Sequence, residues 1–168
     1  MNFPKYTFFL TSFPEIPKLE KNDEYFIDVI GQITAISDPT SITTSTGIVR
    51  MKRLVHLMDL SGNKIEISLW GPRAEEFEGD QVYQIGQNNH VIAIFVGTTL
   101  KSYNGSTPFL SGTSACRWYI NLAEIPEITL FYTSLPHQVY QIQKIDLQST
   151  VEVQNKRRTK NITAAEIC

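Results

Sequence analysis

The sequence predicts an all-β fold, a small five-stranded barrel with a short helix between its third and fourth strands and an extension at each end. Three observations predict it. Five runs rich in β-branched and aromatic residues are separated by turn chemistry. The run Leu54 to Gly71, LVHLMDLSGNKIEISLWG, reads as two strands joined by Ser61-Gly62-Asn63, where Gly tolerates positive φ and Asn bonds its own backbone. The one short helical pattern, PRAEEFEG, stands directly after the third strand.

Met1 to Asn22 contains Pro4, Pro14 and Pro17, which prevent a regular strand or helix. Its aromatics, Phe3, Tyr6, Phe8, Phe9 and Phe13, make it a strap packing on the barrel. Tyr25 to Ile36 is the first strand, with Ile27, Val29, Ile33 and Ala35 on one face and Asp28, Gln32 and Thr34 on the other. Gly31 marks a bend or bulge within it. Ser37 to Gly47 is a polar Ser/Thr loop, long for a hairpin connection, and long loops carry function.

Ile48 to Leu60 is the second strand and Lys64 to Trp70 the third. The third alternates strictly: Ile65, Ile67 and Leu69 face the core, while Lys64, Glu66, Ser68 and Trp70 face outward. A large aromatic on a wet face has two readings. It packs against a cross-strand partner or covering tail, or it is a platform for something flat, such as a nucleobase.

In the helix, Pro72 suits the first position, Glu75 and Glu76 suit the positive end of the dipole, and Gly79 suits the stop. His90 to Leu100, the fourth strand, is apolar on both faces and is expected to be covered on both. Asn104-Gly105 centres a hairpin turn leading to the fifth strand, Thr107 to Thr113. Trp118 and Tyr119, after that strand, are expected to close the barrel's end. A helix between the third and fourth strands of such a barrel points to an OB-fold. The expected boundaries are a leader at 1–22, the OB-fold domain at 23–121, a short helical closure at 122–135 around Glu127 to Thr133, and a linker or tail at 136–168.

At 168 residues, with 42% hydrophobic and 19% charged residues, the chain has material for a core and too little charge for disorder. No apolar run approaches the ~20 residues of a membrane span, and the N-terminus carries no signal-peptide pattern. Cys116 and Cys168 are too few for a disulfide framework, and His56, His90 and His137 stand in no ligand spacing, so neither metal nor cofactor is expected. A net charge of −2 and a pI of about 5.9 argue against binding duplex DNA mainly by charge. They argue less against a single-strand binder, where stacking shares the work. There is no Gly-rich phosphate loop, no nucleophile with a partner and no useful carboxylate pair, so an enzyme is not expected.

The segments FIDVIGQI, LVHLMDLSG and IEISLWG, the last followed by the acidic EEFEG, resemble the second DNA-binding OB domain of the replication protein A large subunit, particularly its plant-type relatives. The resemblance covers roughly Phe3 to Tyr132. The ending RRTKNITAAEI resembles the linker into that family's next, zinc-binding domain, so the chain is expected to be a fragment or a shortened paralogue. The resemblance implies binding of single-stranded DNA with little sequence preference and without catalysis, alongside other subunits or neighbouring OB domains. It implies stacking on Trp70, in the LWG motif, and on Tyr103, in the hairpin between the fourth and fifth strands. It places basic residues on Arg50, Lys52 and Arg53.

On their own phase, Arg50 and Lys52 share a strand face, while Arg53 points opposite or sits in a bulge. All three would hold phosphates or serve as a solvated, charge-protected edge. Lys101, near Tyr103, and Arg73, near Trp70, are further phosphate contacts or plain surface, and Tyr103 is a stacking ring or a turn-packing one. Lys156-Arg157-Arg158 and Lys160 form a weak nuclear-import or backbone-binding signal, which with the resemblance makes the expected location nuclear. The alternative function is an OB-fold protein-interaction module holding a peptide or subunit in the same groove; RNA binding is a third.

Overall fold

The computed structural model describes residues 8–18, 26–101 and 108–147. The strands are β1 (Ile27–Ser37), β2 (Thr40–Thr43), β3 (Val49–Met58), β4 (Lys64–Trp70), β5 (Ile92–Lys101), β6 (Phe109–Ile120) and β7 (Gln143–Ile145). The helices are α1 (Pro72–Glu76), α2 (Gly79–Ile85) and α3 (Pro126–Ser134), with a 3-10 turn over Phe13–Lys18.

The sheet runs β2-β3-β4-β6-β5-β1-β7, and pairing of β1 with β3 closes it into a barrel of β1, β3, β4, β6 and β5. This is the five-stranded OB-fold, with helix between β4 and β5. Strands β4 and β6 run parallel and the other barrel pairs antiparallel. Ile33, Val55, Leu57, Ile67, Leu69, Phe95 and Leu110 fill the interior. Strand β5 serves two cores. Ala93 and Phe95 face the barrel, while Ile92 and Ile94 face outward beneath Ile125, Ile128 and Phe131 of the α3 region, joined by Phe8 and Leu10 of the leader.

Several elements differ from the sequence reading. The long polar loop contains β2, which pairs with β3 and makes an extended hairpin arm. Strand β6 continues to Ile120, laying the partly buried Trp118 against Phe77 and Phe95 at the edge of the core. Gly79 opens α2 instead of ending α1. A Cβ there would stand 1.6 Å from Arg53 Nη1, so the glycine makes room for a buried guanidinium. Gly31 is likewise a close approach: a Cβ would lie 3.0 Å from Leu57 Cβ, and the β1–β3 bulge falls at Ile33/Ala35 instead. Within the expected tail, Ile142 and Leu147 are buried and β7 adds in parallel to β1. His90 anchors this return. Its Nε2 donates to the Pro136 carbonyl at 2.8 Å and its Nδ1 accepts from Gln32 at 3.1 Å.

Candidate nucleic-acid interface

The outward face of β3 and β4 is built by register. Strict pairing sets Lys52 opposite Trp70, Leu54 opposite Ser68 and His56 opposite Glu66. Directly opposed residues in antiparallel strands bring their side chains within contact. Arg50 lies two residues before Lys52 on the same face, across from Ile42 of the β2 arm. The Arg50 guanidinium carbon stands 4.7 Å from the centre of the Trp70 ring and Lys52 Nζ stands 5.0 Å from it, both within cation–π range. One large ring at a strand end therefore carries two cations. Partial burial lowers the Lys52 pKa, and the nearby Glu66 carboxylate opposes that shift.

Trp70 keeps its partly exposed position because the chain leaves it abruptly. Gly71 has φ 60° and ψ −134°, a conformation open to glycine and strained for other residues. Its N–H donates to Met51 O at 2.9 Å, turning the backbone away into α1.

Beyond Leu54 and Ser68 the face continues through Ser111 of β6, opposite Ser68, and Thr99 of β5, opposite Ser111. Ser68 and Ser111 are buried, giving a floor of small hydroxyls between the Trp70 end and the far edge, where Lys101 of β5 pairs with Phe109. Tyr103 lies outside the described residues.

Arg53 and Arg73 are placed differently. Arg53 follows the core phase of β3. It is 5% exposed, donates from Nε to Ala74 O at 2.9 Å, and lies 5.4 Å from the Phe77 ring. Burial pushes its pKa down, while Asp38 and Asp80 favour its charge. Its work is to hold α1 and α2 against the barrel, on the side away from Trp70. Arg73 binds both carboxylate oxygens of Glu76 with Nη1, at 2.6 and 3.0 Å, and Ser114 O with Nη2 at 2.9 Å, tying α1 to β6.

One pair on the Trp70 face escaped the sequence reading. His56 Nε2 lies 3.1 Å from Glu66 Oε1, with both side chains about two-fifths exposed. The hydrogen bond from His56 pulls the Glu66 pKa below its ordinary value, against the opposing effect of partial burial. The available signal was that Glu66 alternates in phase with Trp70. Among the described residues no group of His, Cys, Asp or Glu is arranged to hold a metal ion, and no helix is long and apolar enough to cross a membrane.

The family model of the replication protein A OB domain matches residues 14–120. The chain belongs to the replication protein A OB-domain family. This OB domain is 28% identical over 123 residues to a replication protein A 70 kDa DNA-binding subunit of Oryza sativa subsp. japonica, covering 72% of this chain and 13% of the relative. It is 30% identical over 101 residues to the 70 kDa DNA-binding subunit of Xenopus laevis, covering 59% of this chain and 17% of the relative. The OB domain thus spans a small fraction of the length of these proteins. Among solved structures it is similar to a replication protein A heterotrimer bound to ssDNA, with a TM-score of 0.62 at 22% identity, over 84% of this chain and 31% of that one. That likeness carries the fold.

Proposed function

We propose that this OB domain binds single-stranded DNA by stacking and phosphate contacts, with little dependence on sequence and with no chemical step of its own. The observation that carries the reading is the Trp70 ring flanked by Arg50 and Lys52 beside a floor of the small residues Ser68, Ser111 and Thr99. A base stacks on the indole while the two cations neutralise adjacent phosphates. Lys101, at the other edge of the face, extends the track, and the family resemblance adds Tyr103 as a second stacking ring. Arg53 and Arg73 support it from behind through α1. The names of the relatives, DNA-binding subunits of replication protein A, agree with this reading. By the same kinship the domain works in DNA replication, repair and recombination in the nucleus, beside other OB domains or subunits. The acidic pI of about 5.9 suits a module whose affinity is modest alone and is raised by linked neighbours.

The test is fluorescence anisotropy of a labelled oligo-dT of ~20–30 nucleotides, a length spanning several OB site sizes, titrated at low and moderate salt. Saturable binding that weakens log-linearly with salt, with duplex a poor competitor, supports the proposal. Binding indifferent to salt, or absent at high micromolar protein, refutes it and favours a protein-binding groove.

A further inference from the structure

Glu66 and His56 lie on the same outward face of the sheet as Trp70, and the carboxylate's residue stands four positions before the ring's on β4, about 13 Å along the strand. A carboxylate on a face meant for phosphates needs a reason. Its Oε1 accepts from His56 Nε2, and that bond requires the proton on Nε2. The Oε2 atom has no hydrogen-bond partner among the described residues, and the side chain is 40% exposed. Lys52 stands close enough to favour the charged form. The result is an ionised, oriented acceptor with one free oxygen, set further along the same face as the stacking platform.

We propose that Glu66, positioned by His56, reads the exposed amino groups of bases laid along this face, so that the domain prefers cytosine over thymine at that place. This rests on the single-strand reading above. An ionised carboxylate only accepts hydrogen bonds. Cytosine presents the N4 amino donor that carboxylates recognise, whereas thymine presents carbonyl oxygens on both sides of its single N3–H. The two oxygens repel the carboxylate. A phosphate is repelled as well, which turns the nucleotide so that its base faces Glu66. His56 acts through Glu66 by fixing the rotamer of the carboxylate and leaving Oε2 outward.

The experiment is competition anisotropy at neutral pH with unlabelled oligo-dC and oligo-dT of equal length, for the parent chain, Glu66→Gln and His56→Ala. The parent should favour oligo-dC by roughly fivefold, the low end for discrimination between bases by a base-edge hydrogen bond. In Glu66→Gln the preference should fall within about twofold, because an amide offers both a donor and an acceptor. In His56→Ala it should shrink part of the way. If Glu66→Gln tightens both oligonucleotides by one common factor and leaves their ratio unchanged, the carboxylate acts only by repelling phosphate and the assignment is overturned. Equal affinities in the parent overturn it too. Failure of the parent to bind either oligonucleotide sinks the single-strand reading itself, and this assignment with it.

Discussion

Replacing Trp70 by Ala tests the interface at its centre. Stacking of one base on an aromatic side chain contributes ~1–3 kcal/mol, so its loss should weaken binding by about 5- to 150-fold. The surroundings narrow that range. Arg50 and Lys52 lie over the ring in the free domain, each such contact contributing roughly 0.5–1 kcal/mol at an exposed site. A base that displaces both cations gives up as much as ~2 kcal/mol, and the net loss on mutation then sits at the low end. If the cations stay on the opposite face of the ring, the loss sits at the high end. Trp70→Phe keeps a ring face and should recover most of the affinity. The fold should persist, because Ile65, Ile67 and Leu69, the neighbours of Trp70 on β4, point into the barrel and Trp70 does not. Anisotropy with labelled oligo-dT at low salt, beside thermal unfolding of the same samples, measures both quantities. A folded Trp70→Ala variant that binds within twofold of the parent refutes the stacking argument.

Three further outcomes are expected. Arg50→Ala with Lys52→Ala should reduce the steepness of log K against log salt by about 1.4, at ~0.7 per phosphate contact for a single strand, and a slope equal to the parent's would remove both residues from the interface. Gly79→Ala should destabilise the domain by ~1–3 kcal/mol, the cost of losing a charge-assisted hydrogen bond, since a Cβ 1.6 Å from Arg53 Nη1 forces the guanidinium away from Ala74. The same change in an Arg53→Met background should cost distinctly less, which chemical denaturation will show. For Glu66 the folded pKa lies below the unfolded one. Its contribution is therefore fully present above the unfolded value, about 4.3, and is lost as pH falls through the folded one. Thermal unfolding of parent and Glu66→Gln should show the parent's advantage at neutral pH shrinking on acidification below that point; an advantage that grows there contradicts the shift.

Local chemistry made the β3–β4 hairpin legible. The Asp59 carboxylate accepts from the Ser61 and Asn63 backbone at 3.0 and 2.8 Å, and Gly62 takes φ 88°, as a turn between two alternating runs requires. The Trp70 platform was readable for the same reason, since alternation along one strand assigns faces without reference to the rest of the chain. Parts set by distant partners were not readable. Strand β2 pairs only because β3 presents an edge to it, and the polar Thr40–Thr43 segment has no apolar alternation to announce it. Trp118 reads from the sequence as a closing residue after the barrel, yet β6 runs on and delivers it to Phe77 and Phe95.

The basic cluster Arg50, Lys52 and Arg53 divides the two kinds of knowledge. From the sequence alone came the five barrel strands, the helix between the third and fourth, the outward Trp70 and the shared face of Arg50 and Lys52, because a two-residue period and short-range turns are local properties. Only the tertiary structure decided that Arg53 is buried against Phe77 and α1, that Gly79 leaves space for it, and that His56 and Glu66 meet further along the platform's face. The reason is physical. Which side of a strand becomes interior, and which distant residue stands opposite, follows from closing the barrel through the β1–β5 and β4–β6 pairings, contacts between segments far apart in the chain.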